Sequence, residues 1–215
     1  MGGKMKKRCL IWSEALVFVF LSGFLTTHAL AGADLSLRLW GQYLPLVSGE
    51  AGSGEGAPGY NDAFNSGWGG GMELAYRPSR YFSFLIGGGN EHYSGETHQD
   101  ISFDSRDITP IYIGGKLHLT PKGSRLNPYM RMDIGTAHLY SMDVSYKDRS
   151  IRYWESSWRF LFDLGAGLEY RFGSFGTSLE MKARYLDHPD SAIGHPSDAD
   201  SSWTMPITLG FSYYF

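Results

Sequence analysis

Charged side chains recur at every second position in the C-terminal half of the chain. Glu169 and Arg171 lie in one such run, and Glu180, Lys182 and Arg184 lie in the next. Residues two apart point to the same face of a β-strand, so each run carries its charges on one face. Two such faces in an enclosed space allow either a network of ion pairs or a path for ions. The charged set that we expect to meet in this interior is Arg159, Asp163, Glu169, Arg171, Glu180, Lys182 and Arg184.

Two other segments gather residues that bind divalent cations. One contains Asp187, His188, Asp190, His195, Asp198 and Asp200, and the other contains Glu91, His92, Glu96, His98, Asp100, Asp104 and Asp107. Carboxylates and imidazoles are ligands for calcium and for transition metals. The spacing matches no EF-hand or zinc template, so we predict hydrated acidic loops with no metal and no cofactor.

Nucleophilic catalysis needs a hydroxyl or thiol held beside a base. The single cysteine, Cys9, precedes the predicted cleavage site of a leader, and His188 and Ser191 flank Pro189 in a predicted loop. No strand holds this His and Ser at a spacing that keeps them within hydrogen-bond reach. The sequence therefore favours a protein that is not an enzyme.

The elements that position these residues alternate apolar and polar side chains with a period of two. Between Trp158 and Phe172, Phe160, Leu164 and Leu168 oppose the charged or glycine positions. The same pattern predicts eight strands of about 9 to 13 residues, a length that suits a tilted membrane crossing. They span residues 35–43, 68–77, 81–93, 109–120, 128–140, 158–172, 177–185 and 204–215.

The connections between these strands alternate between long and short. Residues 44–67, 94–108, 141–157 and 186–203 are long, whereas 78–80, 121–127 and 173–175 are shorter. Antiparallel neighbours put alternate connections at opposite ends, as transmembrane barrels do with short periplasmic turns and long extracellular loops. With Ser174 and Phe175 as the turn of the last short connection, Glu169 is expected opposite Glu180.

The parity of the charges distinguishes a membrane barrel from a soluble one. A soluble barrel would have to fill a narrow interior with Phe160, Phe162 and the other large apolar residues, although eight strands leave room for few side chains. In a membrane barrel the large apolar residues face outward instead. Glycines on the same strand faces as the charges then relieve the crowding inside. We therefore predict an all-β, eight-stranded antiparallel up-and-down transmembrane β-barrel, with aromatic residues that include Trp40 and Tyr129 in interfacial girdles.

The N-terminus has the features of a signal peptide. Lys4, Lys6, Lys7 and Arg8 precede an apolar stretch at residues 15–25, and Ala29 and Ala31 have the spacing of a cleavage site. We expect residues 1–31 to be removed and residues 32–215 to form the barrel domain. The net charge of -3 and the lack of a basic stripe argue against nucleic-acid binding.

The C-terminal segment 207–215 ends on Phe211, Tyr213 and Phe215 at alternate positions, and it resembles the assembly signal of bacterial outer-membrane barrels. Residues 127–135, 164–172 and 178–185 are similar to the small eight-stranded barrels of the outer-membrane protein A, OmpX and opacity-protein type.

The resemblance implies a monomer that the barrel-assembly machinery inserts among outer-membrane lipid and lipopolysaccharide of a Gram-negative bacterium. It implies a structural or surface-interaction role through the long extracellular loops. The alternatives are a lipid-modifying enzyme of the lipid A deacylase type and a narrow small-solute pore.

Overall fold

The computed structural model describes residues 34–51, 58–147, 149–192 and 200–215, so the predicted signal peptide with Ala29 and Ala31 lies outside the described residues. In chain order the elements are β1 (Asp34–Leu44), β2 (Leu46–Ser48), α1 (Tyr60–Ala63), β3 (Gly67–Arg77), β4 (Phe82–Tyr93), β5 (Thr97–His98), β6 (Ile101–Phe103), β7 (Arg106–His118), β8 (Leu126–Leu139), β9 (Met142–Tyr146), β10 (Arg149–Glu155), β11 (Ser157–Phe172), β12 (Phe175–Leu186), β13 (Asp190–Ser191), β14 (Ser202–Thr204) and β15 (Ile207–Tyr214).

Eight long strands form a closed barrel. The order β1, β3, β4, β7, β8, β11, β12, β15 is antiparallel throughout, and each strand pairs with the next in the chain. The ring closes where β15 pairs with β1, from Ser36 opposite Tyr214 to Tyr43 opposite Ile207. The predicted eight-stranded up-and-down barrel is confirmed.

The alternating residues of each strand divide between an apolar outer face and a polar interior. On β11, Leu164 and Leu168 are 50% and 45% exposed, whereas Asp163 is fully buried. Lipid cannot satisfy polar groups, so a membrane barrel needs this inverted distribution. It is the distribution predicted from the parity of the charges.

Two prolines interrupt the wall at the seam where the barrel closes. Pro45 separates β1 from β2, and Pro206 lies between β14 and β15. Proline has no N–H to donate to a ladder, but its carbonyl accepts. The N–H of Met205 donates to the carbonyl of Pro45, and the N–H of Lys182 donates to that of Pro206. The β2–β14 pairing then continues the seam beyond the interruption.

The hairpin between β11 and β12 has a different register from the predicted one. Phe172 pairs with Phe175, so the turn residues are Gly173 and Ser174. Gly173 has φ +65°, and glycine adopts a positive φ without a steric penalty, which places it first in the turn. The prediction that Glu169 faces Glu180 is therefore wrong.

The long connections fold together above the barrel. Strands β5, β6, β9, β10 and β13 form a second sheet, and we call this sheet and α1 the cap. Buried residues of the cap and of the upper barrel form one apolar core, which includes Tyr60, Phe64, Phe103, Met142 and Trp154. Within the described ranges, no helix is long and apolar enough to cross a membrane.

Candidate functional site: the lumen and the cap

The lower half of the lumen is built around two glutamates from strands on different parts of the wall. Glu73 on β3 accepts from Arg131 at 2.7 Å and from Lys116 at 2.8 Å. Glu180 on β12 lies 3.3 Å from the same Arg131 and 3.5 Å from Arg38. Arg131 therefore joins both glutamates across the barrel, and its Nε also donates to Asp133 at 2.6 Å.

The upper half of the lumen has a second group of ion pairs. Asp163 on β11 accepts from Lys182 at 2.9 Å and from Arg184 at 2.7 Å and 2.8 Å. Arg184 also donates to Glu91 on β4, and Glu91 accepts from Gln42 at 2.7 Å. This group connects β1, β4, β11 and β12.

The charges in the described part of the lumen balance. Five cations and five anions are buried there, namely Arg38, Lys116, Arg131, Lys182 and Arg184 with Glu73, Glu91, Asp133, Asp163 and Glu180. Charges buried without partners cost several kcal/mol each, so pairing is what makes this interior tolerable. A lumen of one sign would favour the opposite ion, whereas this network has balanced charges and crosses the lumen.

Aromatic rings fill the remaining space where glycines make room. A Cβ on Gly71 would lie 2.5 Å from the ring of Trp40, and one on Gly167 would lie 2.5 Å from the ring of Tyr129. The hydroxyl of Tyr129 donates to Glu180 at 2.9 Å. Each glycine thus makes room for the bulky side chain of its register partner on the neighbouring strand.

The placement of Trp40 and Tyr129 corrects a prediction from the sequence. Both were expected in the interfacial girdles, but they are 7% and 1% exposed and lie in the lumen. The sequence does indicate the correct placement, because residues two apart lie on the same face of a strand. Trp40 follows Arg38 by two residues, and Tyr129 precedes Arg131 by two. Glu91 was assigned to an acidic loop, yet it lies on β4 and belongs to the upper ion pairs.

The seven predicted interior charges lie at three heights. Asp163, Glu180, Lys182 and Arg184 are buried and meet in the network. Arg159 lies at the cap end of the barrel and pairs with Asp190 of the cap. Glu169 and Arg171 are half-buried near the opposite end, where Arg171 stacks over the ring of Tyr214 at 4.0 Å. The last two do not reach the central network.

One cation is enclosed by the aromatic core of the cap. Arg106 is 2% exposed and stacks over Tyr60 at 4.8 Å, Trp154 at 5.6 Å and Tyr93 at 5.8 Å. Its Nε and Nη2 have no hydrogen-bond partner among the described residues, and the three ring faces provide cation–π attraction. Burial raises the pKa of Tyr60, and the nearby guanidinium of Arg106 opposes that rise.

The histidine and aspartate residues of the loops do not converge on one centre in the described part of the chain. His188 Nδ1 lies 2.9 Å from Asp187 Oδ1, and Ser191 belongs to β13, where it pairs with Trp154. Among the described residues, no three His, Cys, Asp or Glu side chains are close enough together to hold a metal ion. His195 and Asp198 lie outside the described residues.

The closed ring, the outward apolar face and the paired charges inside define a small membrane-spanning β-barrel. A family model described as the outer membrane protein beta-barrel domain matches residues 18–215. The chain belongs to this family and is an outer-membrane protein. The predicted family resemblance is thus confirmed.

Comparison with solved structures identifies the same fold at low sequence identity. Neisserial surface protein A is 12% identical with a TM-score of 0.58, and the match covers 86% of this chain and 99% of that one. A major outer membrane protein from Thermus thermophilus is 11% identical with a TM-score of 0.55, and the match covers 86% of this chain and 100% of that one. No curated protein matches the chain at a significant level.

Proposed function

We propose that the chain is a monomeric, non-conducting outer-membrane protein whose cap acts as a recognition surface outside the cell. In this proposal the signal peptide is removed after Ala31, and the barrel-assembly machinery of a Gram-negative bacterium inserts the chain among lipid and lipopolysaccharide. The C-terminal Phe211, Tyr213 and Phe215 serve as the assembly signal.

The folded cap is the observation that carries this proposal. Connections that merely link strands do not need an apolar core, yet these connections enclose Tyr60, Phe64 and Trp154. Beyond that core the β9–β10 hairpin exposes Tyr146 and Ile151, at 47% and 55%. A rigid base with exposed apolar residues at its tip suits binding to a partner surface.

A barrel without its cap separates a recognition role from a purely structural one. Four short turns replace the extracellular connections, and cells that make this barrel are compared with cells that make the whole protein. We expect both proteins to give the same resistance to detergent with a chelator, which reports envelope integrity. Only cells with the whole protein should bind to a printed array of purified surface proteins.

A matched variant tests the hairpin alone. The double substitution Tyr146→Ser and Ile151→Ser leaves the buried core of the cap intact, and it should reduce array binding as strongly as removal of the cap. Equal array binding by the whole protein and by the barrel without its cap would contradict the recognition role.

The paired lumen also supports a protein that does not conduct. In planar bilayers the purified protein should give no stepwise current, because Arg131 and Arg184 bridge acidic residues across the lumen. Steady single-channel steps would instead favour the pore alternative.

We also infer that the chain is not a lipid hydrolase. His188 lies beside Asp187, and the backbone of Ser191 pairs with β10, which supports a role in holding the loop. Mass spectra of lipid A from cells with and without the protein should be the same. Loss of an acyl chain only in the producing cells would overturn this inference.

A further inference from the structure

A cleft lies on the outer surface of the barrel at its extracellular rim, where it borders the strand that carries the lumen residue Glu91. Its volume is about 300 Å³, and it is lined by Trp68, Asn90, Glu91, His92, Asp107, Ile108 and Tyr140. Trp68 is 68% exposed and Tyr140 is 48% exposed, so two rings stand at its two sides. We infer that this cleft binds the saccharide head group of a glycolipid in the outer leaflet.

The pairing of the strands orders the outer face of this wall into rows. The lowest row in this region is Leu74, Ile86, Ile113 and Ile134, which are paired across β3, β4, β7 and β8. Two rows higher, Asn90 and Thr109 take the outward positions, and the next row contains Trp68, His92, Asp107 and Tyr140. The face therefore changes from apolar to polar toward the extracellular end.

That change occurs where a lipid changes from acyl chain to head group. Ile86, Ile113 and Ile134 are 53%, 59% and 49% exposed, so this apolar part of the wall suits contact with acyl chains. Measured along the strands, the two polar rows lie about 14 Å and about 20 Å above them, because a strand advances by about 3.4 Å per residue. A molecule with acyl chains below and a polar head above matches both parts, whereas a free solute would use only the cleft.

The polar groups of the cleft match sugar hydroxyls. Thr109 donates to Asn90 Oδ1 at 2.7 Å, which leaves the amide hydrogens of Asn90 to donate to a ligand. His92 Nδ1 lies 2.7 Å from Asp107 Oδ1, which leaves Oδ2 of Asp107 as an acceptor. Adjacent hydroxyl groups of a sugar both donate and accept, so an amide and a carboxylate side by side complement them.

The walls and the charge of the cleft favour a sugar ring over a phosphate. The exposed rings of Trp68 and Tyr140 offer flat apolar surfaces, and a sugar ring presents C–H groups on a flat face. None of the lining residues, all of which lie in the described ranges, is a lysine or an arginine. Phosphate recognition usually uses such cations.

Two probes distinguish a lipid-anchored sugar from a free one. The refolded mature chain in lipid nanodiscs is mixed with rough-type lipopolysaccharide or with the oligosaccharide released from it by mild acid. Binding of the lipopolysaccharide is measured by native mass spectrometry, and binding of the oligosaccharide by saturation-transfer NMR. We expect the lipopolysaccharide to bind at least tenfold more tightly, because its acyl chains add contacts with the isoleucine row.

Substitutions test the named groups. Asn90→Ala combined with Asp107→Asn, and separately Trp68→Ala, should each weaken the affinity for both probes at least tenfold. Trp203→Ala is the matched control, because Trp203 is an exposed rim aromatic of β14 outside this cleft. Heat-modifiable migration on gels verifies that each variant has folded.

Three results would overturn the proposal. They are the absence of lipopolysaccharide binding, equal affinity of the wild-type and doubly substituted proteins, and binding of the free oligosaccharide alone. This proposal does not rest on recognition by the cap. The cleft can bind lipopolysaccharide in a protein whose cap binds nothing on the array, and the cap can bind to the array in a protein whose cleft binds no lipopolysaccharide.

Discussion

The lumen and the cap are two interiors of one chain, and they are filled with opposite kinds of side chain. Ten buried charges meet in the lumen, whereas the cap encloses Tyr60, Phe64 and Trp154 around the single cation Arg106. The barrel wall faces lipid and puts its apolar residues outside, so its polar residues turn inward. The cap is surrounded by water and buries its apolar residues. The solvent outside each part thus determines what its interior contains.

This contrast implies that different kinds of substitution destabilise the two interiors. An ion pair in the lumen is costly to break because the remaining charge stays buried. An aromatic residue in the cap is costly to remove because it leaves a cavity. The barrel closes through pairings of backbone groups along whole strands, so damage to the cap should leave the wall intact.

The largest expected effect is that of Glu180→Gln. Arg38 and Arg131 would lose a charged partner inside the closed lumen, so the free energy of unfolding should fall by about 3 to 5 kcal/mol. Urea unfolding of the protein in lipid vesicles measures this change. Glu155→Gln, at an exposed position of the cap, is the control and should change stability by less than about 0.5 kcal/mol. Similar losses for both variants would mean that the lumen network does not stabilise the barrel.

Trp154→Ala should have a slightly smaller effect, and only on the cap. The substitution removes a ring that is 2% exposed and packed against Tyr60 and Phe64, which costs about 3 kcal/mol. We expect faster protease cleavage of the loops, which measures the loss of stability in the cap, and unchanged urea unfolding of the barrel. Trp158→Ala, on the exposed outer face, should leave cleavage unchanged. If the barrel unfolds more easily as well, the two interiors are coupled.

Gly71→Ala tests the filling of the lumen by size instead of charge. The new methyl group would collide with the carbonyl oxygen of Gly88 and would lie 2.5 Å from the ring of Trp40. Overpacking of this kind costs about 1 to 3 kcal/mol, measured by the same urea unfolding. Gly41→Ala is the matched control, since a Cβ there meets only one atom within 4 Å, at 3.9 Å. Equal stability of the two variants would show that the wall relaxes around the added methyl group.

The smallest expected effect is a loosening of the cap at alkaline pH. Burial raises the pKa of Tyr60, and burial also raises that of Tyr153. The folded cap therefore keeps these phenols protonated, while the opened cap releases their protons above the ordinary tyrosine pKa of about 10. Stability of the cap is fully present below that pH and falls as the pH rises further. Protease cleavage of the loops should increase between about pH 9 and pH 11, and much less so in the Tyr60→Phe, Tyr153→Phe variant.

The sequence predicts the wall of the barrel well because its period is short and its two faces are chemically distinct. Leu164 and Asp163 alternate in sequence and separate to lipid and lumen in the structure. The predicted register of the β11–β12 hairpin differs from the observed one by two residues, because the alternating pattern alone does not say where the turn lies. Gly173 at a positive φ supplies that information, because it marks the first turn residue.

The network and the cap were harder to predict, because both depend on contacts between distant segments. Glu91 meets Arg184 across 93 residues, and no local pattern connects them. The cap strands β5, β6 and β13 have two or three residues each, too few for a period to stand out. Ile101, Phe103, Met142 and Val144 do alternate with polar residues, and this was the available signal for an ordered cap.

The spread of the lumen charges along the chain has a consequence for how the barrel enters the membrane. Within the β11–β12 hairpin, Asp163 has its partners Lys182 and Arg184, but Glu180 has only the more distant Lys182 at 3.9 Å, and its closer partners Arg131 and Arg38 lie 49 and 142 residues away. A hairpin that entered lipid alone would carry unpaired charges, each at a cost of several kcal/mol. We therefore expect the strands to stay shielded from lipid until the first and last ones meet. On this expectation, closure of the ring and neutralisation of its interior occur together in one concerted step.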